Sequence, residues 1–259
     1  AHLIHWAFGV CAALLTYALG RRYGGRSAGC LAALLFYSIP LTCNLSWKSG
    51  IELGWAFFQL AALYAMVLRL SASDSRWTLL SGVFTGFAMG TKYQAWPLIC
   101  VLPAVLAWAL PADRKQKAKE AALFILAAAA ATAPWCLKNV LLYRNPIYPF
   151  FQEFFSRQAV PHWRDLLTDG GRDLGSTLSS WAGFKSYTLH PWHFTFQTMD
   201  NGPILLLILP ALILFRYKTP ALALIWSAFL GLWGLLSLSA GHFRYLLPHL
   251  PLACILLAV

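Results

Sequence analysis

The sequence predicts an all-α polytopic membrane bundle of about nine transmembrane helices with one long extracytoplasmic loop. Three observations predict it. Of the 259 residues, 59% are hydrophobic and only 11% charged, where a soluble domain carries about 25% charge. The apolar residues fall into repeated long runs, and roughly 20 of them span a bilayer. Most basic residues lie in the short connections between those runs, alternating from one side to the other.

The apolar segments fall near 2–20, 27–43, 51–68, 77–91, 93–110, 120–137, 203–215, 219–238 and 245–259. Alternate connections carry RRYGGR at 21–26, Arg69 with Arg76, DRKQKAK at 113–119 and RYK at 216–218, eleven of the twenty Lys and Arg. The opposite short loops carry Lys48, Lys92 and Arg244, one each. Positive residues stay cytoplasmic, so the basic loops are assigned inside and the first residue outside. The chain is read as a single membrane domain over 1–259, partial at both ends, with an outer loop over 138–202 that has room for short helices. That loop holds Glu153, Asp165, Asp169, Asp173 and Asp200 together with Trp163, Trp181 and Trp192.

Composition excludes several classes. The net charge of +11 is accounted for by membrane orientation, and no basic aromatic platform suggests nucleic acid. The six cysteines form no CxxC pair and read as small helix hydrophobes. The histidines show no metal-ligand spacing such as HExxH, and there is no P-loop or GxGxxG fingerprint.

A few residues suggest chemistry. Glu52 opens a helix in NLSWKSGIELGWAFF and is the only acid on the outer side before the long loop. An ionisable group at the membrane edge is costly unless paired or wetted. If the helix starts early enough, Lys48 pairs with Glu52 at i, i+4. The alternative is a helix-start acid favoured by the dipole. Lys92 follows Gly82, Gly86 and Gly90, which share one helix face suited to close packing. It reads equally as a phosphate partner or as a snorkelling lysine. Ala127–Ala131 reads as packing surface. Lys138, Asn139 and Arg144 bring donors to the membrane edge, where Pro146 and Pro149 end the helix. Arg244 can grip phosphate bidentately, and His242 reads as interfacial. One outer acid and several outer bases suit an anionic, lipid-linked substrate. Two other classes share such a topology: a transporter or flippase, which favours broken helices and internal symmetry, and a non-catalytic membrane scaffold.

Four stretches resemble a known family in order and spacing. They are LLTYALGRRYGGRSAGCLAALLFYSIP (14–40), SGIELGWAFFQLAALYA (49–65), SGVFTGFAMGTKYQAW (81–96), and PWCLKNVLLYRNPIYPF (134–150) paired with FRYLLPHLPL (243–252). Together they resemble the polytopic GT-C glycosyltransferases, in particular the protein O-mannosyltransferase and aminoarabinose-transferase relatives. The resemblance implies transfer of a sugar from a polyprenyl-phosphate donor to a lipid, glycan or protein acceptor outside the membrane. It implies a multi-pass protein of a bacterial inner membrane, with an extracytoplasmic active face and membrane lipids as neighbours. It makes Glu52, where the family usually has Asp, the catalytic or metal-binding acid. It makes Lys48, Lys92, Lys138, Asn139 and Arg244 the phosphate-binding set. Lys138-Asn139 stands where the family often has Arg-Asn, and Arg144 replaces the usual Gly before Asn-Pro. Some members use a divalent cation, Mg or Mn on oxygen ligands, with Glu52 the candidate ligand. The family's catalytic Asp lies in a first outer loop upstream of the segments found here, so this stretch alone is expected to be inactive.

Overall fold

The computed structural model describes residues 2–72, 74–150, 152–155, 219–239 and 243–259, with backbone alone at Glu153 and at residues 233–239 and 243–244. Among these residues every regular element is a helix. They are α1 (His2–Ser38), α2 (Pro40–Ser46), α3 (Glu52–Ser71), α4 (Arg76–Thr91), α5 (Leu98–Ala109), α6 (Arg114–Tyr143), α7 (Gln152–Phe155), α8 (Pro220–Ser239) and α9 (Leu250–Ala258). Short 3-10 turns cover Tyr93–Ala95 and Phe243–His249. By length and composition α1, α3 and α6 can each cross a membrane, and helices satisfy their own backbone groups there.

The expected segments 2–20 and 27–43 are the two arms of α1, which folds back at Gly25 (φ 81°, ψ −176°), a conformation that favours glycine. The arms touch through small residues: a Cβ on Gly20 would lie 3.0 Å from the Gly29 Cα. Pro40 restarts the chain as α2, since a proline fits a first helical turn. The segment expected at 120–137 is longer in both directions. Asp113 caps α6, its side chain accepting from the Gln116 N–H at 2.7 Å, so the RKQKAK run is helical and not a loop. At the other end α6 continues through Tyr143 and passes the expected loop start at 138. The segment at 245–259 opens as a 3-10 turn before α9 begins. The segment at 203–215, most of the 138–202 loop, and the RYK connection lie outside the described residues.

Helix α3 is central: 72% of its apolar window is buried, against 33% in α1 and 28% in α6. It packs on α1, α4 and the Phe243–His249 turn. The outward face of α6 exposes Leu126, Leu137, Leu141 and Leu142, a surface suited to lipid. Helices α4 and α6 meet at backbone distance. A Cβ on Gly82 would lie 2.5 Å from the Phe124 carbonyl oxygen, and one on Gly86 would run into that of Ala128. The glycine face therefore packs against the alanine run, as small residues do between membrane helices. A Cβ on Gly90 would meet nothing within 4 Å.

The two ends of the bundle differ. At one end the described basic loops gather: Arg22 donates to Ser71 Oγ at 2.8 Å, and Arg69 pairs with Glu120 at 2.8 Å. At the other end lie Glu52, Lys92, Asn139 and the Phe243–His249 turn, joined by the contacts described next.

Candidate functional site

Glu52 is the first residue of α3. The turn before it is wound around His5, which is 3% exposed. The His5 Nε2 accepts the Leu53 N–H at 3.1 Å, so Nδ1 carries the proton and donates to the Lys48 carbonyl at 2.9 Å. Gly50 lets the turn close tightly: a Cβ there would sit 2.7 Å from Glu52 Oε2 and 3.0 Å from His5 Cε1, so the carboxylate would have to shift. Glu52 Oε2 accepts the Ile51 N–H at 3.1 Å. Glu52 Oε1 takes the Lys92 ammonium at 2.9 Å.

Lys92 follows the last turn of α4, where its backbone becomes extended (φ −157°, ψ 138°). Its side chain is only 10% exposed and that of Glu52 6%. The Nζ lies 4.1 Å from the Tyr245 ring centroid and 5.8 Å from that of Trp55. Both rings attract a cation through their faces, and more strongly when water is kept out. The Glu52 carboxylate and the faces of Tyr245 and Trp55 thus surround this ammonium at the rim of the bundle.

The expected i, i+4 pair of Lys48 with Glu52 is corrected. Helix α3 starts at Glu52, because His5 and Gly50 shape the preceding residues into a turn. Lys48 is exposed, and it is Lys92, 40 residues away in sequence, that reaches the carboxylate. Lys138 is exposed and its Nζ lies 3.6 Å over the Trp135 ring, outside the Lys92–Glu52 pair. Its neighbour Asn139 is turned inward and 2% exposed. The Asn139 amide donates to Tyr93 Oη at 3.2 Å and to the Pro146 carbonyl at 3.4 Å. Tyr93 in turn donates to the Tyr148 carbonyl. Asn139 therefore shapes the exit of α6 in this structure. Arg144 caps that exit in the left-handed region (φ 53°). The side chain of Arg244 and all of His242 lie outside the described residues.

Several residues of this site were not singled out by the sequence. His5 has no metal-ligand spacing around it, and Trp55 and Tyr245 are two of many aromatics. The spacing Glu52, Trp55, Gln59 on one face of α3 was the available signal. The described residues do not fit Mg or Mn. Glu52 already holds an ammonium and a backbone N–H, and no three His, Cys, Asp or Glu side chains gather among the described residues.

The fold is that of a GT-C-type membrane bundle. It is similar to the crystal structure of ArnT from Cupriavidus metallidurans bound to undecaprenyl phosphate. The TM-score is 0.63 at 18% identity, over 99% of this chain and 45% of that one. The apo structure of the same ArnT gives 0.59 at 19%, over 99% and 44%. The chain thus spans less than half the length of these structures. No curated protein matches it. The family model of dolichyl-phosphate-mannose-protein mannosyltransferase matches residues 1–137, more than half of the sequence, and the chain belongs to that family.

Proposed function

We propose that this chain forms part of a membrane glycosyltransferase that moves a sugar from a polyprenyl-phosphate donor to a lipid, glycan or protein acceptor. The reaction takes place at the end of the bundle opposite the basic loops, which charge orientation makes the extracytoplasmic face. The observation that carries this reading is the Lys92 ammonium, held at the rim between Glu52, Tyr245 and Trp55. Family membership supports it, as does the similarity of the fold to a protein bound to undecaprenyl phosphate.

In the step proposed, an acceptor oxygen attacks the anomeric carbon of the sugar. The bond from that carbon to the phosphate oxygen breaks, and polyprenyl phosphate leaves with the bonding pair. The acceptor's proton passes to a base of the whole protein outside the described residues. Lys92 meets the charge that grows on the phosphate. It does so in a place of low water content, where a fixed cation acts more strongly than in solution. Glu52 holds that cation until the phosphate arrives. Lys138 and Arg244 remain candidates for the same anion, Lys138 from the exposed rim and Arg244 from the turn that carries Tyr245. No step is routed through a metal.

The test uses the full-length protein in lipid nanodiscs with a polyprenyl-phosphate sugar donor. Lys92→Met is expected to lower transfer by about a hundredfold or more, the usual loss for a donor aimed at developing charge. The double variant Lys92→Met/Glu52→Leu removes both buried charges and so avoids the cost of leaving one uncompensated. It is expected to fold and remain inactive. Turnover restored in the double variant would show that the pair is only structural, and the proposal would fall.

A further inference from the structure

Two helical turns beneath the ion pair, α3 carries a second polar group into the bundle. Trp55 and Gln59 are fully buried and His249, at the end of the Phe243–His249 turn, is 1% exposed. Gln59 lies seven residues past Glu52, about 10 Å along the helix axis. Polar side chains at such depth are expensive and mark function or a specific partner.

The hydrogen-bond bookkeeping is determinate. The Pro248 carbonyl can only accept, so the Gln59 amide nitrogen must face it, at 3.1 Å. The same nitrogen contacts His249 Nδ1 at 3.0 Å. Nδ1 is therefore the acceptor, and the neutral ring carries its proton on Nε2. Both amide hydrogens of Gln59 are then used. Three buried atoms are left unpaired: the donors Trp55 Nε1–H and His249 Nε2–H, and the acceptor Gln59 Oε1. They share one locus. Trp55 and Gln59 are one turn apart on α3, and the Trp55 and His249 rings meet edge to face at 6.2 Å. Each such orphan costs about 1–3 kcal/mol if left alone.

We infer that Trp55, Gln59 and His249 enclose a binding site for a water molecule between α3 and the Phe243–His249 turn. Water is the ligand whose chemistry matches the set: its oxygen accepts from two N–H groups and one of its hydrogens goes to the amide oxygen. Two to four polar partners are what a buried water requires. The site positions the Lys92 cage from below, because Trp55 and the Tyr245 turn are the two aromatic walls around that ammonium. It does not depend on the transferase reading and holds for any function of the rim.

Radiolytic labelling of the protein in nanodiscs tests the site, because radicals formed from bound water oxidise the side chains beside it. In oxygen-isotope-labelled water, Trp55 and His249 are expected to take up the isotope several-fold faster than Phe36, an equally buried ring in the apolar core. Uptake at the Phe36 level would mean a dry locus and would overturn the inference. His249→Leu, checked for an unchanged circular dichroism spectrum, is expected to bring Trp55 down to the Phe36 level. Undiminished Trp55 labelling in that folded variant would equally sink the assignment. Should the variant not fold, the labelling of the unaltered protein decides alone.

Discussion

Among the described residues the bundle carries two buried ion pairs, one at each end of α3, and their surroundings differ. Arg69 and Glu120, at the basic-loop end, are 2.8 Å apart and nearly inaccessible. Glu120 also accepts from Ser75 at 2.7 Å and from Gln116 at 2.9 Å on Oε1, and from Thr78 on Oε2. Arg69 donates to Oε1 through both Nε and Nη2. The carboxylate thus ties α3 to the start of α4 and to α6 with charged, hydroxyl and amide donors, a geometry that makes a buried pair tolerable. At the other end, Glu52 and Lys92 are 2.9 Å apart, and the cation rests on the faces of Tyr245 and Trp55. Aromatic faces attract an ammonium through their electron-rich centres, more strongly where water is kept out. The first arrangement is a knot. The second sets a cation against aromatic faces, the arrangement on which the proposed phosphate role of Lys92 rests, so a similar distance conceals different surroundings.

The sharpest way to break this comparison is to remove one partner at the knot. Arg69→Leu leaves Glu120 buried and uncompensated, and is expected to lower stability by about 3–5 kcal/mol. Arg69→Leu/Glu120→Leu is expected to recover much of that loss. Thermal unfolding in detergent reads both. A double variant as unstable as the single would show that the surrounding hydroxyls, and not the charges, organise this end.

The same contrast runs along α4. Its inner half is pressed onto the α6 backbone at Gly82 and Gly86, while Gly90, near the rim, is open. Gly86→Leu is expected to cost about 1–3 kcal/mol through overpacking, or more if the helices separate. Gly90→Ala is expected to be neutral or to stabilise by about 0.5–1 kcal/mol, the helix-propensity gain over glycine. Equal melting temperatures for the two variants would contradict the close approach of α4 and α6.

The smallest effect belongs to the rim. Arg144 holds a left-handed backbone at the exit of α6, where glycine carries no Cβ penalty. Arg144→Gly is expected to raise stability by about 1 kcal/mol. A clear loss would show that the Arg144 side chain contributes a contact that outweighs its backbone strain.

Much of this molecule was legible in its sequence. The two arms of α1 on either side of RRYGGR, the start of α3 at Glu52, the small-residue face of α4 and the alternation of basic loops follow from local composition. Misjudged boundaries had local causes too. The Asp113 cap draws the basic run 114–119 into α6, although its charge reads as loop. The site was only half visible. The sequence singles out Glu52 and Lys92 on one face, and the structure joins them directly; the local pair of Glu52 with Lys48 needed an earlier helix start than α3 has. Arg69 was read as a marker of orientation, and its partner Glu120 was hidden within a basic stretch.

What the sequence determined by itself is the division of the described residues into apolar helices and the gathering of their basic connections at one end. Both are set by transfer of each segment from water to lipid and by backbone hydrogen bonds closed within a helix, so neighbouring residues suffice. Only the tertiary structure decided which charges meet. Lys92 reaches Glu52, and Arg69 reaches Glu120, because α4 packs against α3 and α6 packs against α4 at one particular height and rotation. A shift of one residue along a helix turns a side chain by about 100°, so the pairing is a property of the packed bundle and not of any single stretch of chain.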